Sequence, residues 1–214
     1  MKFLVKIFLI LFVFSGLAHA KQCIFEELDG YDNSQKFDLE NYNKLVKKNT
    51  RIDVDKHGNK VENQPLGNGE YRQFITILDT PYLVEKRYDA NGSLYSFSRH
   101  IHDMEFGKSK SYDKKTGTLT IYDMDKDYKF SLCDLIKKME SEYSINIEDK
   151  HTLYKLSRII DEEKSNRPIY SVVVHVNPNP NIPIFEFKVD GTTGEILKIG
   201  YGDYGLDNVV EASP

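Results

Sequence analysis

Residues 168–199 constrain the fold most strongly, because their apolar side chains recur at every second position. The alternating residues are Tyr170, Val172, Val174 and Val176, followed by Phe185, Phe187 and Val189. A period of two places each set on one face of a β-sheet. Residues 190–194 (D-G-T-T-G) supply glycine where a tight turn requires a positive φ, and the apolar pattern continues at residues 196–199. The stretch therefore predicts three short strands joined by two turns.

The same turn pattern occurs at four places, in residues 54–58, 88–94, 112–119 and 189–196. In each copy an apolar or aromatic residue is followed by Asp, turn residues, Gly and a polar residue. The Asp side chain can bond the turn backbone, and Gly can take the left-handed position. The middle copies resemble the hairpins of MORN-type repeat proteins, and this resemblance implies a meandering antiparallel sheet. We expect strands at residues 71–78, 82–88, 93–100 and 118–122.

Two segments have the apolar spacing of amphipathic helices. Residues 38–48 place acidic residues early and lysines late, as the helix dipole favours. Residues 131–143 carry one apolar stripe, and Ser131 with Asp134 suits an N-terminal cap. Residues 153–161 are expected to form a strand that leads into the stretch described first.

The C-terminal third resembles the PepSY domain family. The resemblance covers about residues 130–200 and rests on a helix, then R-P-I-Y-S-V at residues 167–172, then V-D-G-T-T-G-E-I-L at residues 189–197. Residues 177–181 (N-P-N-P-N) depart from the family pattern. The resemblance implies a helix packed on a small antiparallel sheet. It also implies a non-catalytic role in the bacterial envelope or outside it, which in some members is to hold a peptidase inactive.

Residues 1–20 have the pattern of a secretory signal peptide. Lys2 and Lys6 form a basic start, residues 7–14 are apolar, and residues 18–20 (A-H-A) have the small-x-small form that signal peptidase cuts. The apolar run is too short to span a bilayer. We expect cleavage after residue 20 and a periplasmic or secreted protein. The alternative is a retained N-terminal anchor.

The expected organisation after the signal peptide has three parts. They are a β-rich N-terminal region with one short helix at 21–128, a PepSY-like region at 129–200 and a flexible tail at 201–214. The fold class is therefore expected to be α+β, an antiparallel β-sheet meander with two main helices and a PepSY-like helix-on-sheet unit at the C-terminus. The two parts of the fold could share one continuous sheet.

The two cysteines, Cys23 and Cys133, meet oxidising conditions once the protein is exported. A disulfide between them would tie the N-terminal arm to the start of the second helix. The alternative is two separate free thiols. We expect the disulfide, because exported proteins seldom keep idle thiols.

Charge and composition exclude several classes of partner. The formal net charge is −4 and no basic cluster is present, which argues against nucleic acid and anionic membrane surfaces. The chain has 14 Tyr and 12 Phe residues, so a Tyr-rich contact face is available. The aromatic residues expected near hairpin tips are Tyr88, Tyr95 and Tyr112. We expect these side chains to contact a partner protein.

Residues 123–134 have acidic side chains at positions typical of a calcium loop. Asp123, Asp125, Asp127 and Asp134 occupy positions 1, 3, 5 and 12. However, Tyr128 stands where the sharp turn needs Gly, and Asp134 stands where a bidentate Glu is needed. The favoured interpretation is an acidic loop that caps the following helix, and the alternative is a calcium site.

His100 and His102 would point the same way on a strand, near Asp103 and Glu105. Zinc sites use such pairs but need further ligands that the sequence does not supply. An exposed polar strand face is the favoured interpretation. We expect no cofactor.

No nucleophile motif or phosphate-binding loop is present, so we expect a protein that is not an enzyme. The leading hypothesis is an exported binding or inhibitor protein, either an immunity protein that neutralises an envelope-targeting toxin or a protease inhibitor. The alternative is a structural or calcium-responsive envelope protein. A hydrolase has no support in the sequence beyond scattered acidic residues and histidines.

Overall fold

The computed structural model describes residues 23, 28, 30, 31, 36–161, 166–175, 184–202 and 210–211. In chain order the elements are α1 (Leu39–Lys47), β1 (Ile52–Val54), β2 (Lys60–Pro65), β3 (Tyr71–Thr76), β4 (Tyr82–Tyr88), β5 (Leu94–Ile101), β6 (Met104–Tyr112), β7 (Leu119–Asp123), α2 (Leu132–Tyr143), β8 (Leu153–Asp161), β9 (Arg167–His175), β10 (Ile184–Asp190), β11 (Ile196–Gly202) and β12 (Val210–Glu211). The signal-peptide prediction and the N-P-N-P-N segment lie outside the described residues.

The strands form two antiparallel sheets. Strands β1 to β7 make a seven-stranded meander in sequence order, and the second sheet has five strands in the order β12-β11-β10-β9-β8. The predicted α+β class with an antiparallel meander and two helices is confirmed. Strands β4 and β8 have the predicted bounds, whereas β1, β2 and β6 lie in stretches that the sequence identified only as β-rich.

The four Asp–Gly turns all close hairpins by the predicted mechanism. In each turn the Asp Oδ1 atom accepts hydrogen bonds of 2.7–2.9 Å from two backbone N–H groups that lie two to four residues further on. The glycine of each turn has a φ between 71° and 86°. The four pairs are Asp55 with Gly58, Asp89 with Gly92, Asp113 with Gly117, and Asp190 with Gly194. Local chemistry therefore fixes where the chain reverses.

Both predicted helices form, and side-chain caps fix where they begin. The Asp38 side chain accepts from the N–H of Asn41 at 2.8 Å, at the start of α1. At the start of α2, Ser131 and Asp134 form a capping box in which each side chain bonds the backbone N–H of the other residue. Within the described residues, neither helix is both long and apolar enough to cross a bilayer.

One apolar core joins the two sheets, because side chains from both sheets and from α2 belong to the same buried cluster. Its fully buried members include Tyr82, Ile101 and Phe106 from the first sheet, Leu135 and Met139 from α2, and Leu156, Tyr170, Val172 and Val174 from the second sheet. Full burial of each large apolar side chain contributes about 1.5–3 kcal/mol. The two sheets therefore pack against shared side chains.

The predicted disulfide is present. The sulfur atoms of Cys23 and Cys133 are bonded, and the Cα atoms are 5.9 Å apart. Cys23 is almost fully buried in the shared core, so the bond ties the start of the described chain to α2. Part of the predicted flexible tail at 201–214 is also paired, because Tyr201 of β11 pairs with Val210 of β12. Residues 203–209 and 212–214 of that tail lie outside the described residues.

Candidate functional site: the open edge of the first sheet

Strand β7 forms one edge of the seven-stranded sheet and is exposed on both faces. Strand β6 lies on one side of it, and no strand in the described part of the chain lies on the other. All five residues of β7 are exposed, with exposed fractions of 43% for Leu119, 52% for Ile121 and 54% for Tyr122. An edge strand with exposed apolar side chains is a template for pairing with another chain.

Two hydrogen bonds show which residues of β7 face β6. At one end the C=O of Thr118 accepts from the N–H of Asp113, and at the other end the N–H of Met124 donates to the C=O of Gly107, both at 2.9 Å. Alternate residues of an antiparallel strand direct their backbone groups to the same neighbour. The even-numbered residues of this segment therefore bond to β6.

The backbone N–H and C=O groups of the odd-numbered residues of β7 point away from the sheet. Leu119, Ile121 and Asp123 each direct an N–H and a C=O outward, and these groups have no partner within the described residues. Such a row of donors and acceptors is able to accept a further strand. Only Asp123 in this strand is charged, and it lies at the end.

The opposite edge of the same sheet, called the closed edge below, has its outward N–H donors bonded by side chains. Ladder bonds at residues 51 and 55 direct the odd-numbered residues of β1 to β2, so Ile52 and Val54 point outward. The N–H of Ile52 donates to Thr50 Oγ1 at 3.1 Å, and the N–H of Val54 donates to Asp53 Oδ1 at 2.8 Å. The outward donors of β1 are therefore already bonded, in contrast to those of β7.

More exposed apolar side chains lie beside the contact between Arg158 of β8 and the residues that follow β7. The Arg158 guanidinium donates to the C=O of Met124 at 2.7 Å and pairs with the Asp125 carboxylate, directly after β7. Met124 is 37% exposed, and Ile159 and Ile160, which follow Arg158, are 43% and 44% exposed. This contact brings apolar residues of β8 next to the end of the open edge.

Arg158 also anchors the edge to the core. Its guanidinium lies 4.5 Å from the centre of the Tyr128 ring and 5.5 Å from that of Tyr170. Burial alone would lower the pKa of Arg158, but the adjacent Asp125 carboxylate outweighs it and the pKa is raised. The arginine therefore stays charged at any physiological pH.

The structure corrects the prediction for one of the three tyrosines. Tyr88 is 1% exposed, in the aromatic cluster beneath α1, so it cannot contact a partner. Tyr95 and Tyr112 are partly buried. The Tyr95 hydroxyl donates to Glu70 at 2.9 Å, and the Lys114 ammonium lies 3.7 Å from its ring centre. The sequence placed these residues near hairpin tips correctly, but it did not indicate which sheet face packs inward.

The acidic loop uses its carboxylates within the protein. Asp123 accepts from the N–H of Asp125 at 3.0 Å, and Asp125 pairs with Arg158. Asp134 belongs to the capping box of α2, while Asp127 is exposed. An arginine bonded to the central carboxylate competes with a cation. The arrangement favours the capping interpretation of this loop over the calcium alternative.

The two histidines do not lie together on a strand as expected. Strand β5 ends at Ile101, and His102 lies in the following turn with a φ of 51°. His102 Nε2 is 2.8 Å from the C=O of Leu153, whereas His100 Nε2 is 2.9 Å from Ser98 Oγ. Among the described residues, no group of three or more His, Cys, Asp or Glu side chains is arranged to hold a metal ion.

Glu85, a buried carboxylate of β4, is held by two arginines. Glu85 accepts two hydrogen bonds from Arg72, at 2.9 and 2.8 Å, and one from Arg87 at 2.7 Å. Burial would raise the pKa of Glu85, but the hydrogen bonds from the two arginines outweigh it and lower the pKa. A carboxylate that stays ionised at neutral pH cannot serve as a general acid.

The sequence identified β7 as a strand but did not identify it as an open edge. The available signal was the run L-T-I-Y at residues 119–122, which has no charge and is rich in β-branched and aromatic residues. Whether such a run lies at the centre or the edge of a sheet depends on the pairing of all seven strands.

Comparison of the chain with protein families, with curated proteins and with solved structures finds no match.

Proposed function

We propose that this chain is an exported, non-catalytic protein that acts by binding another protein at the open edge of β7. Its role would be that of an immunity protein against an envelope-targeting toxin, or of a protease inhibitor. The observation that carries the proposal is the row of outward backbone groups at Leu119, Ile121 and Asp123, next to exposed apolar side chains. A strand of this kind binds an extended segment by adding it to the sheet.

The partner would present an extended segment with alternating apolar side chains. Backbone hydrogen bonds would supply affinity, and contacts with Ile121 on one face and Tyr122 on the other would supply specificity. The apolar residues Met124, Ile159 and Ile160 would extend the contact beyond the strand itself. Large side chains at the centre of such interfaces supply most of the binding free energy.

Two features of the sequence support the same proposal. The basic start, apolar run and small-x-small site of residues 1–20 support export, and a disulfide is expected of an exported protein. The resemblance of residues 130–200 to PepSY domains supports inhibition, because some members of that family hold a peptidase inactive. A calcium-responsive role has no comparable support, since Asp125 is paired with Arg158.

The proposal is tested with two matched substitutions at opposite edges of one sheet. Ile121→Lys changes the open edge, and Ile52→Lys changes the closed edge at a residue of the same type and similar exposure, 46% against 52%. Wild type and both variants are used to capture partners from envelope extract. The enzymatic or toxic activity of the captured partner is then measured with each purified protein added.

We expect wild type and Ile52→Lys to inhibit the captured partner equally. Ile121→Lys should weaken inhibition by about thirtyfold or more, since loss of a central anchor costs about 2 kcal/mol. Equal inhibition by both variants would remove β7 from the binding site. Turnover of a substrate by the purified protein alone would replace the proposal with an enzymatic function.

A further inference from the structure

We infer that a second copy of this chain occupies the open edge in the absence of the partner, with the two β7 strands paired antiparallel about a two-fold axis at Ile121. The inference rests on the proposed function in one respect, because it adds regulation to the same site. The edge that the partner needs would be covered by self-association until the partner displaces the second copy.

The hydrogen-bonding positions of β7 match a second β7 in this register. In an antiparallel pair, residues with outward backbone groups must lie opposite one another. With Ile121 opposite Ile121 of the second copy, Leu119 lies opposite Asp123, and all three residues on each strand have outward N–H and C=O groups. A register shifted by one residue would set bonding positions opposite non-bonding ones.

The side chains also match in this register. Ile121 meets its own copy, and Thr120 meets Tyr122, a β-branched residue opposite an aromatic one. Cross-strand pairs of these two kinds stabilise a sheet. All of these side chains are exposed in the single chain. Pairing would therefore cover apolar surface without displacing an existing contact.

The turns at the two ends of β7 differ in the sign of their formal net charge. Residues 113–118 carry one Asp and two Lys, and residues 123–127 carry three Asp and one Lys. Lys115 lies in the turn that precedes the strand, and the exposed Asp127 lies in the turn that follows it. Antiparallel pairing brings the basic turn of one copy towards the acidic turn of the other, twice by symmetry. A parallel arrangement would set like charges side by side, so charge complementarity selects the antiparallel pair.

The first experiment measures the oligomeric state of the full, disulfide-bonded chain by sedimentation across a wide concentration range. Ile121→Pro removes an outward N–H and leaves the bonds to β6 intact. Ile52→Pro is the matched change at the closed edge. We expect reversible dimers for wild type and Ile52→Pro. We expect a dissociation constant about thirtyfold weaker for Ile121→Pro, since each copy loses one central hydrogen bond.

A second set of variants tests the register and keeps the inference testable if the proline variant does not fold. Lys115→Asp and Asp127→Lys should each weaken the dimer, because each sets like charges together across the axis. The double variant Lys115→Asp with Asp127→Lys should restore the dimer. Failure of the double variant to restore it would overturn the antiparallel register.

The outcomes for the dimer and for the proposed function are distinct. Wild type that stays monomeric up to its solubility limit overturns the self-association and leaves partner binding untouched. Dimers that Ile121→Pro does not weaken overturn the use of β7. A captured partner that binds the dimer without dissociating it overturns the shared site, whereas a partner that shifts the chain to monomer–partner complexes supports it.

Discussion

The two edges of the seven-stranded sheet belong to similar hairpins, but they differ in whether their outward N–H groups are bonded by side chains. The turn before β2 and the turn before β7 have the same Asp–Gly chemistry. At β1, however, Thr50 and Asp53 bond the outward N–H groups, whereas the nearby Thr116 and Thr118 hydroxyls bond each other at 2.8 Å. The comparison teaches that turn chemistry makes a hairpin, while a few capping side chains decide whether its outer edge is available.

The largest expected effect is a loss of stability on removal of the disulfide. It tests whether the open edge forms independently of the core. Cys23→Ser opens a disulfide that spans 110 residues, and the chain-entropy model predicts a loss of about 4–5 kcal/mol in the free energy of unfolding. Denaturant unfolding measures this loss. Because the bond lies in the core, the remaining folded protein should dimerise as the wild type does. Loss of dimerisation in the folded variant would show that the edge depends on the core.

The next prediction compares a residue of β7 that bonds to β6 with one whose backbone groups point outward. Thr120→Pro removes an N–H that bonds to β6 and should cost about 1–3 kcal/mol of stability. Ile121→Pro removes an outward N–H and should cost less than about 1 kcal/mol. Thermal and denaturant unfolding of the two variants compares them directly. A greater loss for Ile121→Pro would mean that the assignment of outward residues is wrong.

Uncapping the closed edge should make it resemble the open one. Asp53→Ala frees the Val54 N–H and removes a 2.7 Å hydrogen bond from Asn41. We expect a loss of about 1 kcal/mol in stability. Hydrogen exchange at the Val54 amide should become faster, and Asp53→Asn, which keeps an oxygen acceptor, serves as the control. Unchanged exchange in Asp53→Ala would mean that the carboxylate does not protect this edge.

Acid should weaken the turns of both edge hairpins alike. Burial raises the pKa of Asp55, but hydrogen bonds from backbone N–H groups outweigh it and lower the pKa. Similar bonds lower the pKa of Asp113. A carboxylate with a lowered folded-state pKa stabilises the fold above its unfolded-state pKa of about 3.9. That stabilisation is lost as the pH falls through the lower folded-state value. Protection of the turn amides from hydrogen exchange, measured from neutral pH to pH values below that point, should therefore fall in both turns. A fall in only one turn would show that the two hairpins differ in this respect.

The smallest expected effect concerns the histidines and metal ions. Replacing His100 and His102 by Asn, or adding EDTA, should change partner binding by less than about twofold, below about 0.4 kcal/mol. The reason is that both side chains bond within the protein, away from β7. Binding measurements with wild type and the double variant check this. Abolition of binding by EDTA would replace edge binding with a metal-dependent role.

Elements governed by neighbouring residues were predictable from the sequence. The Asp–Gly turns and the caps of α1 and α2 depend on side chains within a few residues of the backbone groups that they bond. Strands β4 and β8 could be bounded because turns flank them. The site itself could not be predicted. Tyr88 and Tyr122 both occur in alternating strands, yet one is buried beneath α1 and the other is exposed on the edge.

By itself, the sequence determined the meander, the two helices and the disulfide, because each follows from local hydrogen bonding or from having only two cysteines. Only the tertiary structure decided that β7 is an open edge and β1 a closed one. It also decided that Asp125 pairs with Arg158, 33 residues away. These features depend on which distant strands come together. Whether a side chain near β1 or β7 bonds an outward N–H group matters only because the pairing of the seven strands makes these two strands the edges.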